Sequence, residues 1–80
     1  MKYTLIVPSS YETALTGFAM GATKTVGKTE WRVEIYVGED YPRIYRAGEL
    51  QKILHVPELI ARMANAVCKQ YAQFVALKAD

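Results

Sequence analysis

Three observations predict an α+β fold with a small three-stranded antiparallel or mixed sheet, helices packed on one face, and the order β-α-β-β-α-α. Residues 29–37 alternate apolar and polar side chains with period two. Residues 57–77 repeat their apolar side chains at helical spacing. A β-branched and aromatic run near the start, 2–7, stops at Pro8. The chain has 80 residues, 51% hydrophobic and 22% charged, which reads as a single globular domain over 1–80. That length excludes barrels and dinucleotide-binding folds.

Residues 2–7, Lys-Tyr-Thr-Leu-Ile-Val, form the first expected strand. Ser9-Ser10-Tyr11-Glu12 follows as a Ser-x-x-Glu capping box with Ser9 as N-cap. It opens a helix over 11–20 that sets Tyr11, Ala14, Leu15 and Phe18 on one face and stops at Gly21. Gly17 costs that helix about 1 kcal/mol relative to Ala. Residues 22–28 are polar, end near Gly27, and read as a basic loop carrying Lys24 and Lys28. In 29–37, Trp31, Val33, Ile35 and Val37 alternate with Glu30, Arg32, Glu34 and Tyr36, the pattern of a half-buried strand. Gly38-Glu39-Asp40-Tyr41-Pro42 is a turn, and Pro42 confines 43–46 to a short or edge strand paired with 29–37 as a hairpin.

Residues 48–54 suggest a short helix with Leu50, Ile53 and Leu54 on its apolar side. Pro57 suits the first position of the next helix, which runs to 77. Its Leu59, Ile60, Met63, Val67, Tyr71 and Phe74 share one stripe, while Glu58, Arg62, Asn65, Lys69 and Gln73 take the other side. A right-handed crossover places the first helix on the same sheet face as this one. The expected core is Leu5, Val7, Phe18, Trp31, Val33, Ile35, Met63, Val67 and Phe74.

Ten Lys and Arg against eight Asp and Glu leave a charge of only +2. Binders that rely on phosphate neutralisation carry a larger surplus. The one cysteine, Cys68, allows neither an internal disulfide nor a cysteine metal cluster. The apolar run after Lys2 is too short for a signal segment, and no stretch approaches the ~20 apolar residues of a membrane helix. The expectation is a cytoplasmic protein with no membrane partner.

Residues 22–29, Ala-Thr-Lys-Thr-Val-Gly-Lys-Thr, fit a relaxed phosphate-loop pattern. That mechanism needs a helix after the loop, and here a strand led by Trp31 follows. His55 has no nucleophile beside it and reads as a packing or capping residue between helices. Cys68, with only Lys69 as a basic neighbour, reads as a small packing residue. Glu30 and Glu34 lie on one strand face about 13 Å apart with Arg32 between them, which suits a cross-strand ion-pair ladder better than acid–base chemistry. No ligand cluster suggests a metal, no cofactor is expected, and the chain reads as no enzyme.

In residues 49–62, the spacing of Glu49, Leu54, Val56 and Ile60 resembles a helix-turn-helix of the excisionase or MerR kind. Gln51 stands where those families place a small residue, His55 where the turn often has Gly, and Glu58 would repel phosphate. The resemblance implies DNA reading by this helical corner, with Lys52 and Arg62 contributing charge.

The remaining candidate is a surface. Arg32, Glu34 and Tyr36 face away from Trp31 and Val33, and Tyr41, Arg43 and Tyr45 alternate against Ile44. Tyr and Arg dominate binding hot spots because they bury large area and add directed donors. The sequence therefore predicts a non-enzymatic module that blocks or modulates a protein or ribonucleoprotein partner by surface occupancy. Its size class includes phage and mobile-element inhibitors and accessory proteins. Arg32, Tyr36, Tyr41, Arg43, Tyr45 and Arg46 would make contact, and Lys24 and Lys28 would steer an acidic partner surface. The rival is a nucleic-acid-binding regulator using the 49–62 corner or base stacking on the Tyr/Arg face. The wide apolar arc of 57–77 suggests a homodimer through that helix.

Overall fold

Two tight turns with left-handed residues organise the sheet. Gly27 takes φ +64° at the first of the two turn residues, where a hairpin favours glycine. It closes β2 (Phe18–Val26) onto β3 (Thr29–Tyr36). Ala47 and Gly48, at φ +50° and +84°, close β4 (Arg43–Arg46) onto β5 (Glu49–Leu50). The computed structural model describes residues 2–78. It adds β1 (Thr4–Ile6), α1 (Ser10–Thr16), one 3-10 turn (Ile53–His55) and α2 (Glu58–Lys78). All neighbouring strands are antiparallel, in the order β1-β2-β3-β4-β5.

The fold is α+β, but among the described residues the sheet has five strands rather than three. The largest correction is β2, which runs through residues read as a helix end and a basic loop. Ser9 does cap α1, its Oγ accepting the Glu12 N–H at 3.2 Å. Gly17, at φ +79°, then donates its N–H to the Thr13 carbonyl and ends the helix before Phe18. A bulge between Phe18 and Met20 sends Ala19 and Met20 both inward while Phe18 faces the other side. The extra residue breaks the period-two signal.

β1 and β2 are antiparallel neighbours joined through α1, not parallel strands joined by the expected crossover. α1 buries none of its residues, and Tyr11 and Leu15 remain 74% and 67% exposed. The helix expected over 48–54 is also absent. Glu49–Leu50 is a strand, and Leu50, Ile53 and Leu54 are exposed. With no first helix, the helix-turn-helix resemblance of 49–62 has no structural counterpart. The phosphate-loop pattern of 22–29 is a hairpin strand and turn.

The expected long helix is present as α2, and its apolar stripe covers the inner face of β2 and β3. Ile60, Met63, Ala64 and Val67 close over Met20, Ala22, Trp31, Val33, Ile35 and Ile44 in one core. Phe74 packs against its margin. Leu5 and Val7 were expected inside but are 37% and 54% exposed, because β1 lies at the sheet edge. Phe18 is half-buried on the opposite face. No helix among the described residues is long and apolar enough to cross a membrane.

Candidate functional site: the outer face of the sheet

Directly paired residues of an antiparallel sheet share a face. Arg32 pairs with Thr23 and Tyr45, Glu34 with Gly21 and Arg43, and Tyr36 with Phe18. These side chains therefore lie opposite Ala22, Val33 and Ile44, the row that α2 covers.

Gly21 makes this face what it is. A Cβ there would lie 2.9 Å from Cζ of Phe18 and 2.7 Å from the Val33 carbonyl oxygen. The missing side chain lets the Phe18 ring lie down across the strand, an aromatic covering a bare glycine. Phe18 then meets Tyr36 edge to face, with centroids 5.7 Å apart. The Arg32 guanidinium lies over Phe18 at 5.8 Å, and that of Arg43 over Tyr36 at 3.9 Å. The result is a continuous row across three strands: Arg32, Phe18, Tyr36, Arg43.

Carboxylates fix both ends. Glu34 accepts from Arg32 Nε at 2.5 Å and from the Tyr36 hydroxyl at 3.0 Å, so both of its oxygens are engaged. Arg43 bonds Glu39 through Nε at 3.0 Å and a terminal nitrogen at 2.5 Å. The expected cross-strand ion-pair ladder is thus replaced by a pair along one strand and a pair to the turn. Burial, reinforced by the Glu34 hydrogen bond and its charge, pushes the Tyr36 hydroxyl pKa up. The Arg43 hydrogen bond holds the Glu39 carboxyl below its usual range. Glu39 and then Tyr45 favour the charged form of Arg43.

Of the sequence-predicted contacts, Arg32, Tyr36, Arg43 and Tyr45 come together here. Tyr41 lies in the turn, 83% exposed, beside a groove of about 510 Å³ lined by Pro42, Ile44, Leu50, Ile53 and Val56. Arg46 and Lys24 each pair with Trp31 and so belong to the inner-face rows. Lys24 sits in β2, not a loop, and its Nζ donates to the Lys2 carbonyl at 2.7 Å. Lys28 is in the β2–β3 turn, which lies at the same sheet end as Arg46 because Ala47 N–H bonds the Glu30 carbonyl. Sequence reasoning missed Phe18 and Gly21, since the bulge that turns Phe18 outward leaves no mark on residue type.

No family model, no curated protein and no solved structure matches this chain.

His55, expected to pack or cap between two helices, is instead exposed at the end of the 3-10 turn. Cys68 packs at the core margin, where burial pushes its thiol pKa up and disfavours the reactive thiolate. No group of three metal-ligating side chains occurs among the described residues.

Proposed function

We propose that the chain is a non-enzymatic binding module that occupies a surface on another protein through the outer face of its sheet. The observation that carries this reading is the row Arg32, Phe18, Tyr36, Arg43. Long side chains ordinarily lose rotamer freedom when a partner docks. Here stacking and carboxylate bonds hold the arginines beforehand, while their edges stay accessible. Large planar groups with directed donors on a rigid support suit a hot-spot patch.

Charge favours a protein over a nucleic acid as partner. Glu30, Glu34 and Glu39 stand beside Arg32 and Arg43, and both arginines already hold a carboxylate. A phosphate backbone would have to displace those pairs. Lys28 and Arg46 at one end of the sheet favour a partner with an acidic margin there. In this reading the module blocks or modulates its partner in the manner of a small inhibitor or accessory protein.

Partner capture from the native host's lysate, with the Arg43→Ala/Tyr45→Ala double variant as control, tests it. The expected result is a protein retained at moderate salt and lost with the double variant. Retention of nucleic acid with steeply salt-dependent affinity would instead establish the regulator reading.

A further inference from the structure

Among the described residues, β1 has a strand neighbour on one side only. Such an edge presents unpaired backbone donors and acceptors, which proteins usually blunt with lysine, proline, a bulge or an inward charge. Residues 3–7, Tyr-Thr-Leu-Ile-Val, contain none of these, and Lys2 and Pro8 stand just outside them. The opposite edge, β5, is two residues long and carries Glu49. The inner-face row of β1 is also incompletely covered. Tyr3 packs on the core and donates its hydroxyl to Gln70 at 3.3 Å, but Leu5 and Val7 remain 37% and 54% exposed.

We propose that β1 docks a second copy of this chain, pairing antiparallel about Leu5 so that one continuous sheet runs through both copies. The stretch is self-complementary in that register. Leu5 faces the partner's Leu5, Tyr3 faces the partner's Val7, and Thr4 faces the partner's Ile6, so the exposed apolar row meets its own image. Charge is complementary at both ends. Lys2 falls opposite the partner's Pro8, next to the segment that holds Glu12. Glu12 is in the first turn of α1, hydrogen-bonded to Ser9. The two-fold axis makes this Lys–Glu approach twice. It also sets two copies of the outer face on one surface, so a partner with repeated sites would be held bivalently.

A seam this short buries less than the ~1,200 Å² of a stable specific interface, so the dimer is a concentration-dependent one. Sedimentation equilibrium of the full chain from about 10 µM to about 1 mM tests it. The expected mass rises from monomer towards dimer. Leu5→Lys, at a partly exposed position, abolishes the rise while the amide NMR spectrum stays dispersed. Lys2→Glu and Glu12→Lys each weaken association about two- to fivefold, and the double exchange restores it. The Arg43→Ala/Tyr45→Ala variant leaves the mass unchanged, which separates this inference from the function proposed for the outer face. A monomer at every concentration, a dimer indifferent to Leu5→Lys, or a charge exchange that fails to restore association would each overturn the proposal.

Discussion

The Arg43 guanidinium lies 3.9 Å from the centre of the Tyr36 ring, although its register partner on β3 is Glu34. The stacking is diagonal, and Glu39 holds it from the turn through two hydrogen bonds. Glu39 should therefore titrate below the range of ordinary surface glutamates, because the ionised form keeps the Arg43 bonds. Carboxyl chemical shifts followed by NMR would show this, and Arg43→Ala should return Glu39 to the ordinary value. The sign for stability follows from the lowered folded-state pKa. The contribution is present above the unfolded-state value and is lost as pH falls through the lowered one. An unshifted Glu39 would mean that the pair does not persist in solution.

Gly21→Ala connects packing to the proposed function. The added Cβ meets a backbone oxygen at 2.7 Å and the Phe18 ring at 2.9 and 3.1 Å. The ring can swing away, but the Val33 carbonyl belongs to the sheet and cannot. The expected cost is about 1–3 kcal/mol by urea denaturation. Moving Phe18 also takes the support from Tyr36 and Arg32, so partner binding should fall in the fraction that still folds. A Gly21→Ala protein of unchanged stability and binding would show that the face does not depend on this close approach.

What the sequence made legible follows from physical regularity. β3 and β4 were readable because Trp31, Val33 and Ile35 alternate without interruption and Pro42 marks where the second strand begins. α2 was readable because Ile60, Met63 and Val67 lie on one stripe against the sheet. β2 was not, for three local reasons. Ala19 adds a residue to the strand, Gly21, which reads as a helix stop, occupies an outer strand position, and Lys24 sits in an inner row near the strand end. The site divides in the same way. The Tyr/Arg alternation of Tyr36, Arg43 and Tyr45 was visible, whereas Phe18 reached the face only through the bulge. β5 was hidden because its turn lacks the usual Asn-Gly, and residues 49–54 have the composition of a helix.

Met63 and Leu54 provide a sharp contrast for the core. Both are large apolar residues in the C-terminal half, but Met63 is 0% exposed and Leu54 is 88% exposed. Met63→Ala removes side-chain volume from beneath α2 and should cost about 2–5 kcal/mol. Leu54→Ala should stay within about 0.5 kcal/mol of the parent. Denaturant titrations of the two variants give both values. Similar losses would mean that residues 53–55 are buried in solution.

Ala47 is the one described residue other than glycine with a positive φ, +50°. Its Cβ crowds the backbone there, at a cost of roughly 1 kcal/mol. The conformation is retained because the turn residues Ala47 and Gly48 must match the twist of β4 and β5. The Ala47 N–H is also tied to the Glu30 carbonyl at 2.9 Å. Asparagine tolerates this conformation better and keeps that N–H. Ala47→Asn should therefore raise stability by about 0.5–1 kcal/mol. Glycine relieves the same strain but enlarges the conformational freedom of the unfolded chain, so Ala47→Gly should gain less than Ala47→Asn. The β4–β5 pairing is unchanged in both variants, and hydrogen exchange of the Tyr45 and Arg46 amides should slow in step with the gain in stability. A loss of stability with asparagine would mean that Ala47 does not hold this conformation in solution.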